Sequence, residues 1–173
     1  MPQDEKRFDD VLVADVYDKI VLRPSQVGEG ATIGEVIDQM LANPVSRKVY
    51  VVDGGGRYKG TVSTETILRL MGYRVGVREG GGLSFYRFLR DTLKENVQGI
   101  MVKGRTVGRG DRLTAAMRIM IEDHLNDLPV VDEGGRLVGE LVSLELLLQG
   151  KHVFEPKEWS PPHPLSGGLP IGR

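Results

Sequence analysis

The stretch VYVVDGGGRYKGTVS at Val49–Ser63 returns as LPVVDEGGRLVGELVS at Leu128–Ser143. Asp53 and Asp132, Gly56 and Gly135, Arg57 and Arg136, and Gly60 and Gly139 each stand 79 residues apart. Self-similarity at a fixed offset means two copies of one folding unit. A unit of about 55 residues is marginal alone, so each copy needs the other to cover the apolar face implied by the alternation in VYVVD and LPVVD.

Each copy orders its signals in the same way. In the first, TIGEVIDQML sets Ile33, Val36, Ile37, Met40 and Leu41 at helical spacing, with Thr32 as the cap. Asn43-Pro44 ends that helix. KVYVVD then reads as a strand, DGGGR as a tight turn, YKGTVS as the returning strand and Thr64–Met71 as a second short helix. The second copy repeats this with DRLTAAMRIMI, LPVVD, EGGR, RLVGELVS and LELLLQ. Upstream, VGEG at Val27 and VGRG at Val107 mark the end of a short leading strand and its turn, and VADVY at Val13 corresponds to VQGIM at Val97, with four more residues following in copy one. The unit is strand, helix, strand, strand, helix.

Composition excludes several function classes. A formal net charge of −1 argues against a dedicated nucleic-acid surface. There is no cysteine, and His124, His152 and His163 are scattered, so a thiolate or histidine-rich metal site is not expected. The opening MPQDEKRFDD lacks the apolar core of a signal peptide, and no apolar run reaches the roughly 18 residues of a membrane span. A cytoplasmic location is the expectation. REGGGLSFYRF lacks the lysine and spacing of a phosphate-binding loop and reads as part of a link. His124, near a helix end, reads as a surface or cap residue.

The chain therefore divides into an N-terminal segment at 1–11, repeat one at 12–72, a connection at 73–95, repeat two at 96–151 and a Pro/Gly-rich tail at 152–173. Within the connection, SFYRFLRDTLKEN places Phe85, Phe88, Leu89 and Leu93 on one stripe behind Ser84 as a cap and reads as a helix, while its first half reads as a flexible link. Trp159 is a candidate to anchor the tail against a partner.

LPVVDEGGRLVG, together with VYVVDGGGRYKG and its downstream TVSTETIL, resembles the CBS motif of cystathionine-beta-synthase-type domains, present as a tandem pair over roughly Leu12–Lys151. The resemblance implies an α+β fold of tandem β-α-β-β-α repeats with pseudo-twofold symmetry, a Bateman-type module. It further implies two clefts between the repeats, a homodimer, and regulation of a partner protein through an adenosine-type ligand such as AMP, ADP, ATP or S-adenosylmethionine, with no cofactor required and no chemistry of its own. The apolar closing helices ETILRLM and LELLLQ independently favour a dimer. Neither a nucleic acid nor a membrane is an expected partner.

In such a cleft a hydroxyl residue ends the last strand, and an aspartate three positions on grips the ribose diol. The hydroxyls here are Ser63 and Ser143, while Thr66 and Leu146 stand at the acid positions; Glu65 and Glu145 each fall one position early. Copy two is expected to carry one extra residue between Gly139 and Ser143, which puts Ser143 in doubt as a ligand. The alternative role of both serines is to cap the following helix. Arg47 and Lys48 offer positive charge for a phosphate in the first cleft, where copy two has Asn126 and Asp127. Val49 and Tyr50, with Leu128 and Pro129, line the base positions unless they are core. Two readings follow: a nucleotide-sensing regulatory pair, or a ligand-free dimerisation and docking scaffold with vestigial clefts. An enzyme is not expected, because no nucleophile lies beside a histidine and no carboxylate pair has catalytic spacing.

Overall fold

The computed structural model describes residues 8–76 and 82–154. Copy one contributes α1 (Val13–Val16), β1 (Gln26–Gly28), α2 (Ile33–Ala42), β2 (Lys48–Val52), β3 (Tyr58–Ser63) and α3 (Thr64–Gly76). The connection holds α4 (Gly82–Leu93), and copy two follows with β4 (Val107–Gly108), α5 (Leu113–Glu122), β5 (Asp127–Val131), β6 (Leu137–Val142) and α6 (Ser143–Phe154). Each copy builds one three-stranded sheet, ordered β1-β2-β3 and β4-β5-β6, with the first pair parallel and the second antiparallel. This is the expected α+β duplication.

The glycine turns repeat in atomic detail. Asp53 Oδ1 accepts from Gly55 N and Arg57 N, both at 2.9 Å, and Asp132 Oδ1 accepts from Gly134 N and Arg136 N at the same distance. Gly56 and Gly135 adopt φ of 77° and 75°, a left-handed conformation that costs a residue with a Cβ more than it costs glycine. Both hairpins carry a register shift at the same place, between Val51 and Val52 and between Val130 and Val131.

The lead-in segments exchange places. Val13 N donates to Asp111 O and Leu113 N to Val11 O, while Val97 N donates to Ala31 O and Ile33 N to Glu95 O. Bridges Leu12↔Arg112 and Thr32↔Asn96 complete the same symmetric pattern. Accordingly Val11, Val13, Val16 and Tyr17 of copy one belong to the core of copy two, and Val97 joins the core of copy one with Ile100 and Met101 packed against it. The copies shelter one another by trading their first turns, which ties two small cores into one cooperative body.

Two helices differ from their sequence reading. α3 runs on to Gly76, five residues beyond Met71 and into the expected flexible link, of which residues 77–81 lie outside the described residues. α4 starts at Gly82, which places Ser84 inside the helix, not at its cap. Thr32 does cap α2: its Oγ1 accepts from Glu35 N at 3.3 Å, and Glu35 Oε2 accepts from Thr32 N at 2.7 Å, a capping box. Residues 155–173, including Trp159, lie outside the described residues.

Candidate functional site

Strand register decides which residues of the two copies are equivalent. Lys48 pairs with Ser63 across β2 and β3, and Asp127 with Val142 across β5 and β6. Thr64 N then donates to Arg47 O at 3.1 Å, and Ser143 N to Asn126 O at 2.7 Å. The offset is 79 throughout, so β6 carries no inserted residue, and the expectation of one is corrected. The counterpart of Ser63 is Val142, that of Thr64 is Ser143, and that of Thr66 is Glu145 instead of Leu146. Matching the two serines by identity had shifted copy two by one place; the ladder counts positions, not letters.

Around the start of α3, Ser63 and Thr66 come together. Ser63 Oγ accepts from Thr66 N at 3.1 Å and lies 3.0 Å from Thr66 Oγ1, so the serine caps the helix and both hydroxyls are engaged with each other. Arg47 is exposed beside them, its carbonyl held by Thr64 N. Lys48 turns the other way: its ammonium pairs with the Asp127 carboxylate of copy two and donates to Asp127 O at 3.0 Å. Val49 is fully buried in the copy-one core. Of the candidates, the structure gathers Arg47, Ser63 and Thr66 at one helix start, while Lys48 and Val49 face the interior and Ser143 sits half-buried as the first residue of α6.

The corresponding helix start in copy two holds a carboxylate. Glu145, 1% exposed, accepts at Oε1 from Lys19 N (2.8 Å) and Ile20 N (2.9 Å), and at Oε2 from Val142 N (3.0 Å). Burial pushes its carboxyl above the ordinary value, and the backbone donors of Ile20, Val142, Lys19 and Val21 pull the other way.

Between the sheets lies a polar cluster that periodicity hides. Glu140, fully buried, accepts at Oε1 from Tyr50 Oη (2.9 Å) and Ser46 Oγ (3.1 Å) of copy one, while its Oε2 has no partner. Burial raises its pKa to about 7; the hydrogen bonds from Tyr50 and Ser46 oppose that, Asp127 adds to it and Lys48 offsets it. Tyr50 is pushed well above its ordinary value, first by burial and then by Glu140. Glu140 follows the strand alternation as if it were a core residue, so only its partners across the copies mark it as special. Glu145 was visible to the same symmetry once the register was right.

An open pocket of about 390 Å³ lies between the copies. Tyr58 of copy one, Lys103–Thr106 of the second lead-in, and Val131 and Gly135 of copy two line it. Tyr58 Oη accepts from Gly104 N at 3.2 Å and meets Thr61 Oγ1 at 2.8 Å. Arg105 is held by Asp123 and Glu122, which raises its pKa. None of the six residues expected from sequence lines this pocket, because its wall comes from a lead-in segment without periodicity. Among the described residues no group of three or more His, Asp or Glu is placed to hold a metal ion, and no helix is long and apolar enough to cross a membrane.

Comparison with known proteins agrees with this architecture. The family model described as "CBS domain" matches residues 13–73 and 97–148. A CBS domain-containing protein from Thermotoga maritima is 32% identical, with a TM-score of 0.64 over 80% of this chain and 93% of its own. A CBS domain protein from Pyrobaculum aerophilum, solved complexed with AMP, is 22% identical, with a TM-score of 0.63 over 80% and 97%. The cytosolic domain of the Mg2+ channel MgtE, solved with ATP, is 25% identical, with a TM-score of 0.57 over 82% of this chain and 52% of that one. No curated protein matches the chain. The swapped lead-ins, the twin glycine hairpins and these likenesses lead to one conclusion: the chain belongs to the CBS domain family, as a tandem pair.

Proposed function

We propose that the chain is a regulatory module that dimerises, senses an adenosine-type nucleotide between its repeats and passes the change to a partner protein. The observation that carries this reading is the open pocket between the copies. Its volume of about 390 Å³ falls in the range of small-molecule sites, and it offers an aromatic ring at Tyr58, the positive charge of Lys103 and backbone amides. Arg47, Ser63 and Thr66 at the start of α3, apart from that lining, offer a basic and hydroxyl-rich group for a phosphorylated ligand. Similar folds have been solved with AMP and with ATP, which supports the ligand class. Signalling follows from population shift: a ligand bound across two lobes favours one packing of them by its differential affinity.

The dimer reading rests on α3 and α6, where Leu68, Leu144 and Leu147 are 67%, 58% and 68% exposed. Light scattering is expected to give twice the chain mass; a monomer at high concentration removes this part.

A second reading, a ligand-free scaffold, is favoured by one observation. Neither copy joins a strand-end hydroxyl to an acid three residues on, since copy one has Ser63 with Thr66 and copy two Val142 with Glu145. Calorimetry with AMP, ADP, ATP and S-adenosylmethionine on ligand-free protein separates the two. Binding that weakens in Thr66→Ala supports the sensor; no heat from any of the four, with affinity created by Thr66→Asp, supports the scaffold.

A further inference from the structure

The two lead-in segments pass their helix starts in different ways. Gly104 lies 84 residues after Ile20, the offset that relates Val97 to Val13. In the second lead-in, Gly104 N bonds Tyr58 Oη, and the segment lines the open pocket. The first lead-in keeps its amides for the start of α6, where Lys19 N and Ile20 N converge on one carboxylate oxygen of Glu145. Asp18, just before them, is held at φ +69°, a left-handed conformation uncommon for a residue with a side chain. Val21, just after them, is 3% exposed. This lead-in is also the longer by four residues.

Charge separates the same two places. Position for position, copy two replaces Arg47 by Asn126, Lys48 by Asp127, Thr61 by Glu140 and Thr66 by Glu145. Lys48, Asp127 and Glu140 meet between the sheets, so the contrast left at the two helix starts is exposed Arg47 with the Ser63 and Thr66 hydroxyls in copy one against Asn126, Val142 and buried Glu145 in copy two. Phosphate is drawn to the first and repelled by the second.

We propose that residues Asp18–Val21 are a built-in occupant of the second cleft, closing it to ligand and leaving the first as the nucleotide site of each chain. Backbone N–H groups fill the hydrogen-bonding capacity of Glu145 that a ligand's hydroxyls would otherwise take, and Glu145 acts as the positioning residue that holds the segment. The division of labour rests on the sensor reading above; the occupancy does not.

Hydrogen exchange on the full chain, with and without saturating AMP, tests both separately. The Lys19 and Ile20 amides are expected to exchange as slowly as those of β5 and β6, and Glu145→Ala to speed them roughly 10–100-fold. Glu145→Gln, whose Oε1 still accepts both amides, retains most of the protection. AMP leaves these amides unchanged, and calorimetry counts one AMP per chain. Removing Asp18–Val21, so that the lead-in matches the length of its twin, adds one adenosine per chain relative to the parent, the uncharged nucleoside escaping the acids. Rapid exchange at Lys19 and Ile20 in the parent chain overturns the proposal whether or not a nucleotide binds. Loss of their protection on adding AMP, two AMP per chain, or no added adenosine in the shortened chain overturns it as well. Intact protection with no AMP bound removes the sensor reading and leaves the occupancy standing.

Discussion

The two copies share a backbone frame and differ in what they carry on it. Turn glycines, bulges and lead-in hydrogen bonds repeat at constant offsets, whereas the polar positions that meet near the pseudo-twofold axis have diverged in charge. At such an axis a residue tends to meet its own counterpart. Exposed Arg57 and Arg136 still do so, paired in a bridge where water screens them. Partly buried Lys48 and buried Asp127 cannot share one charge at such a contact, and the two copies carry an ion pair there. Duplication thus fixes the geometry, and burial selects which positions must become complementary.

The strongest way to break this pairing is Lys48→Met, which leaves the Asp127 carboxylate buried among Glu140 and Tyr50. Loss of one partner of a buried ion pair costs about 3–5 kcal/mol, read as a fall in the urea midpoint. Exchanging the two residues, Lys48→Asp with Asp127→Lys, recovers most of that loss if the positions are symmetry-related. A double variant no more stable than Lys48→Met would show that the pair depends on more than the axis.

That symmetry was partly legible beforehand. The repeat VVDxGGRxxG announced the turns, because Asp53 and Asp132 cap them and Gly56 and Gly135 need a left-handed backbone, both demands met by particular residue types. The exchange of lead-ins was not legible, since VADVY and VQGIM are apolar wherever they dock, and nothing local says which core receives them. The candidate site suffered from a single slipped position. Ser143 shares its identity with Ser63 without sharing its register, and counting from it puts Glu145, the structural counterpart of Thr66, one position early. Arg47, Ser63 and Thr66 were grouped by what the family resemblance implies about its cleft; Lys48 could not be separated from Arg47 without knowing that strand alternation turns it toward Asp127.

A smaller effect sharpens the comparison at Thr61 and Glu140. The Glu140 carboxyl has its pKa raised from 4.5 to about 7 in the fold, so the folded state holds a proton that the unfolded chain has released. Stability from this group is therefore complete below about pH 4.5, falls as pH rises toward 7, and levels off above it. The span corresponds to about 3 kcal/mol. Tyr50, Ser46, Lys48 and Asp127 are the groups that face it. Urea midpoints measured between pH 5 and 7.5 are expected to slope downward in the parent chain and to flatten in Glu140→Gln. An unchanged slope in the variant would assign the pH dependence to other carboxyls.

The smallest difference lies where each hairpin meets the other copy's lead-in. Gly60 faces Met101 and Gly139 faces Tyr17, a symmetric pair of close approaches with unlike neighbours. A Cβ on Gly60 would sit 3.0 Å from the Met101 thioether, a flexible group that yields by rotation. On Gly139 it would sit within 2.4 Å of the Tyr17 ring, which is 7% exposed and packed in the copy-two core. Gly139→Ala is thus expected to cost about 1–3 kcal/mol, as overpacking does, and Gly60→Ala less than about 1 kcal/mol, the cost of a tolerated methylene in a pliant site. Equal costs would mean that the backbone frame, and not the neighbouring side chain, sets the requirement for glycine at both positions. The lead-ins would then be interchangeable where they cross the hairpins.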